Sequence, residues 1–95
     1  MTDARSAVEA ARTYLRSIQD MLDTPLTNLR LEEVELSEDD QYWLITLGYD
    51  NPNKPKDVSN LSLVAPQLAR LAREYKIFRV RSEDGEIKSM KIREV

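Results

Sequence analysis

A chain of 95 residues with 41% apolar and 33% charged side chains has material for one core and one α+β-sized domain, residues 1–95. It holds no cysteine and no histidine, which excludes disulfide frameworks, thiolate metal sites and the commonest general base. The net charge of −3 hides an asymmetry: residues 1–50 carry four basic and eleven acidic side chains, residues 51–95 ten and six. Such a distribution suits a charged partner or association through opposite surfaces.

Ser6-Ala7-Val8-Glu9 fits a capping box and predicts a helix from about Ala7 to Leu22. Val8, Ala11, Leu15, Ile18 and Leu22 recur at three- and four-residue intervals, with Tyr14 and Met21 flanking that stripe as packing groups. Pro25 bars continuation of the helix. An amphipathic rod of this kind needs a surface to cover.

Leu29 and Leu31 alternate in one phase, and Val34 and Leu36 in the other. A strand with a bulge near Glu32-Glu33 accounts for the change. Ser37-Glu38-Asp39-Asp40 reads as the turn, and Tyr42 to Tyr49 as a returning strand with Trp43, Ile45, Leu47 and Tyr49 on one face. Pairing Leu36 with Gln41 sets Val34 opposite Trp43; the bulge then brings Leu31 to Ile45 and Leu29 to Leu47. Trp43, the single tryptophan, reads as a core anchor beneath the helix.

Asp50 to Asp57 is turn-rich and poor in apolar groups, which predicts a mobile loop around 50–60. Val58 to Ala65 is ambiguous. Pro66 to Glu74 fits a short helix with Pro66 at its first position, and an extended arm competes with it.

Tyr75 to Ile92 reads as a hairpin. A three-residue connection, Glu83-Asp84-Gly85 with Gly85 left-handed, sets Ser82 against Glu86 and Phe78 against Met90. A two-residue turn would oppose Glu83 with Glu86 and Arg81 with Lys88, which is unfavourable. Val80 and Ile92 then share the core face, and Tyr75, Ile77, Arg79, Arg81, Ile87, Ser89, Lys91 and Arg93 the other. The predicted fold is α+β, an N-terminal helix on a four-stranded antiparallel sheet, in the order α-β-β-(short α)-β-β.

Tyr75-x-Ile77-x-x-Val80 followed by Asp84-Gly85-Glu86-Ile87 and an apolar strand resembles the PepSY and cystatin-like group of small α+β domains. The resemblance is concentrated in the last fifth of the chain. It implies a link to peptidase modulation, and no functional residue carries over.

Among constellations that could carry chemistry, the outer hairpin face stands first. Tyr75, Ile77, Arg79, Arg81, Lys91 and Arg93 are the candidate partner-binding residues. Arginine forks suit carboxylates on a protein, and the same cations with Tyr75 could meet phosphates and a stacked base. The plain alternative is a solvated face whose long cationic side chains cover apolar neighbours. The acidic run Glu32, Glu33, Glu35, Glu38, Asp39 and Asp40 lacks the EF-hand spacing and reads as a solvated edge with a polar turn. No Ser-x-x-Lys or Gly-x-Ser-x-Gly motif occurs, and Gly48 and Gly85 are too few for a phosphate loop.

These readings lead to a non-enzymatic domain with no cofactor and no metal, binding another protein or a second copy through the basic outer face or an open strand edge. Weak nucleic-acid binding by the same face is the runner-up, and PepSY-like peptidase modulation the third reading. The first residues lack a basic region followed by an apolar run, and no stretch approaches the ~20 apolar residues that span a bilayer, so the expected setting is cytoplasmic, away from membranes.

Overall fold

In the computed structural model, which describes residues 1–22, 25–50 and 73–93, helix α1 runs from Ala4 to Ser17. It starts three residues before the predicted Ala7, and its cap is Asp3 rather than Ser6. Asp3 is extended and its carboxylate accepts from the Ser6 backbone N–H at 2.8 Å. Ala4 and Arg5 are good helix formers, so the helix extends back to the first side chain able to cap it. Ala7, Ala11 and Leu15, spaced by four, are fully buried, and Val8 sits on the flank of that stripe. The alanines let the helix backbone come close to the sheet.

The helix does not continue unbroken to Leu22. Ser17 Oγ donates to the Tyr14 carbonyl at 2.6 Å and competes with the backbone ladder. Ile18 ends α1, and a single turn, α2, follows at Gln19–Leu22. After that break Leu22 packs against the core while Met21 is 77% exposed, so Met21 is not the packing group the periodicity implied. Tyr14 meets Phe78 edge-on, with ring centroids 6.2 Å apart.

Four strands, β1 (Thr27–Leu36), β2 (Tyr42–Asp50), β3 (Arg73–Arg81) and β4 (Ile87–Ile92), form one antiparallel sheet in chain order. The predicted α+β class and layering hold. Ile45, Leu47, Tyr49, Phe78 and Val80 are fully buried beneath α1. Burying each such side chain stabilises by about 1.5–3 kcal/mol before entropy is charged.

The β1–β2 pairing is displaced from the predicted register. Leu36 faces Trp43, Val34 faces Ile45 and Leu31 faces Leu47. The connection closes one residue later on each side, with the Ser37 N–H donating to the Tyr42 carbonyl at 2.8 Å and Asp40 left-handed at φ 61°. Side chains alternate with a period of two, so a two-residue offset leaves every face unchanged. One irregularity lies between Leu31 and Glu33, as the phase change required, and a second lies between Thr27 and Arg30. Trp43 is half-buried at the rim of the core rather than enclosed within it.

In the last hairpin Phe78 faces Met90, as predicted, but the turn has four residues, 82–85. The Arg81 N–H donates to Glu86 O at 2.8 Å, and Gly85 is left-handed at φ 76°. An irregularity after Arg79 sets Val80 opposite Ile87. Ile87 therefore packs on the helix side, not on the outer face. The extra residue lets its side chain leave water, a gain worth about 1.5–3 kcal/mol for complete burial.

Arg73 and Glu74, assigned by pattern to a short helix, open β3 opposite Asp50 and Tyr49. Both acquire partners across strands that local periodicity cannot see. The rest of that helix and the loop predicted after Asp50 lie outside the described residues. Among the described residues no helix is long and apolar enough to cross a membrane.

Candidate interaction surfaces

Alternation along β3 puts Tyr75, Ile77, Arg79 and Arg81 on the face turned away from α1, opposite Gly48, Thr46, Leu44 and Tyr42. Lys91 pairs with Ile77, and the Arg93 N–H donates to the Tyr75 carbonyl at 2.9 Å. All six candidate residues thus share one surface.

Charge on that surface is largely balanced within the sheet. Arg81 reaches Asp84 at 2.8 Å and Glu86 at 2.7 Å. The Arg81 hydrogen bond, then the Glu86 backbone N–H, hold the Asp84 carboxyl down at about 2. Arg93 Nη1 lies 2.9 Å from Glu33 on β1, an ion pair that joins the two outermost strands. Arg73 takes Glu32 at 2.7 Å and Asp50 at 3.0 Å, over Gly48. A side chain at Gly48 would collide with both ends of the Arg73–Glu32 pair.

Arg79 stacks over the Tyr42 ring, 4.2 Å from its centroid. Of the four predicted cationic contacts, Arg79 and Lys91 have no carboxylate partner among the described residues. Reading the hairpin alone made this face basic. Asp84 and Glu86 within the hairpin supply part of the balance, and Glu33 on β1 the rest, because alternation puts that carboxylate on the same face as the hairpin cations.

A second surface was legible only as an open strand edge. Among the described residues the helix lies over the centre of the sheet and covers β1 only in part, leaving Leu31 39% and Val34 41% exposed. Between α1 and β1 runs a groove of about 420 Å³, floored by Leu31 and Val34 and walled by Ala4, Arg5, Val8, Glu9 and Arg12. That volume is within the ordinary range for binding clefts. Among the described residues no strand pairs with the outer edge of β1, nor with that of β4. Ile92 on β4 is 64% exposed.

A polar cluster sits on the helix side. Tyr49 OH donates to Glu74, and Lys76 Nζ lies 3.1 Å from Glu74 Oε2 with its side chain 8% exposed. Burial, then the Glu74 hydrogen bond, push the Tyr49 hydroxyl above its ordinary value, so it stays protonated. The carboxylate satisfies two buried groups at once and pins the β2–β3 register there. Among the described residues no group of three acidic side chains converges as a metal site.

Comparisons with protein-family models, with curated proteins and with solved structures returned no match.

Proposed function

We propose that this is a non-enzymatic, cytoplasmic protein-interaction domain that docks an extended partner strand along β1. The observation that carries the reading is the pairing of an open strand edge with exposed Leu31 and Val34 under a groove of about 420 Å³. An added strand would gain backbone hydrogen bonds along the edge and place alternate side chains in the groove. Its other side chains would meet Glu33 and Glu35, so the favoured partner alternates apolar and basic residues. A chain of 95 residues without cysteine suits a reducing compartment.

Docking by the outer face is the weaker form of the proposal, since two of its four cations are already neutralised. Nucleic-acid binding loses support on the same ground, because phosphates would compete with carboxylates already in place. The PepSY-like role has no residue in this chain to carry it. Fluorescence anisotropy with a labelled peptide of alternating lysine and isoleucine tests the edge. Binding that weakens in Glu35→Lys supports it; no binding, or equal binding by the variant, removes it.

A further inference from the structure

The two rims of the sheet are chemically complementary. On β1 the helix side presents Leu31 and Val34, and the outer side Glu33 and Glu35. On β4 the helix side presents Met90 and Ile92, and the outer side Ser89 and Lys91. The β4 strand therefore has the apolar–basic alternation that β1 would select. Glu35 and Lys91 are both exposed, and neither has an ion pair among the described residues.

Direction and spacing also agree. Through β2 and β3, β1 and β4 run antiparallel. A second copy in the same orientation thus brings its β4 alongside β1 in antiparallel sense, with both helices on one side. Four strands at roughly 4.8 Å separate successive helices by roughly 19 Å, against a helix diameter of about 10–12 Å. The remaining gap lies over Leu31, Val34 and the neighbouring copy's Ile92.

We infer that a second copy of this chain occupies the β1 edge with its own β4, in a head-to-tail contact that continues the sheet. The inference rests on the β1-edge reading above and names its occupant. Because the contact uses two different surfaces, it leaves a free β1 and a free β4 at the ends and continues beyond two copies. Matching charges across the junction specify the register, with Glu35 facing Lys91 of the next copy.

Sedimentation velocity over a concentration series tests it, using the full chain. Mass should rise with concentration and fall back as salt is raised. Glu35→Lys alone, or Lys91→Glu alone, should weaken association about tenfold by facing like charges. Mixing the two variants should restore it, because each then meets an opposite charge; restoration also shows that both variants are folded. Association unaffected by either reversal overturns the inference. A chain that stays monomeric yet binds the lysine–isoleucine peptide overturns it too, while leaving the β1-edge function standing. A chain that does neither removes both.

Discussion

The indole Nε1 of Trp43 donates to the backbone carbonyl of Thr2 at 2.9 Å, binding the segment ahead of α1 to the start of β2. The Thr2 N–H donates in turn to Ser82, so this segment is held by β2 and by the β3–β4 turn. Trp43→Phe keeps most of the apolar contact and removes one donor. It should cost about 1–2 kcal/mol in urea unfolding, as expected for a lost hydrogen bond and an orphaned carbonyl. An unchanged midpoint would show that the strap contributes nothing.

Gly48 is favoured by the close approach of two side chains, not by backbone angle. A Cβ built there lies 2.7 Å from Glu32 Oε2 and 2.9 Å from Arg73 Nη2. Gly48→Ala should cost about 1 kcal/mol or less, because the closest obstacles are the ends of flexible side chains that can swing aside at the expense of a partly exposed ion pair. Combined with Glu32→Ala it should cost less than the sum of the two, since the closest obstacle is gone. A double-mutant cycle in denaturant measures that coupling, and strict additivity would refute the clash.

Lys76 and Glu74 make an asymmetric pair for mutation. Glu74→Gln leaves a buried ammonium without its countercharge and should cost about 3–5 kcal/mol. Lys76→Met removes the cation instead and fills the space, so it should be markedly milder. Equal losses would mean that Lys76 finds solvent when Glu74 is neutralised.

Acid should weaken the fold in a defined window. Asp84 is lowered to about 2 by the Arg81 hydrogen bond, and Asp50 is lowered by Asn28 and Arg73. A carboxylate with a depressed folded value binds its proton more weakly in the native state. Its contribution is present above the unfolded value of about 3.9 and is lost as pH falls through the folded one. Melting temperature should therefore drop between about pH 4 and pH 2. Asp84→Asn should flatten part of that slope, and identical pH profiles would show that its ion pairs contribute no linkage.

The layers of this fold could be read from periodicity because alternation records which side of a strand is dry. Trp43, Ile45, Leu47 and Tyr49 name one face whatever the neighbouring register, and the phase change at Glu32 marks the bulge. Register itself depends on turn geometry. Left-handed Asp40 and the four-residue Ser82–Gly85 turn each moved a pairing that composition could not fix. Ile87 changed sides for that reason. The candidate surface was half legible: its cations and the Asp84 and Glu86 partners of Arg81 lie in one hairpin, but Glu33, which meets Arg93, lies 60 residues earlier, beyond the reach of local pattern.

The Glu33–Arg93 bridge ties the two rims of the sheet together through side chains alone. Both side chains are substantially hydrated, at 51% and 36% exposure, so the tie is weak, of order 1 kcal/mol or less. A cationic group that engaged Glu33 would therefore compete with Arg93 from the opposite margin.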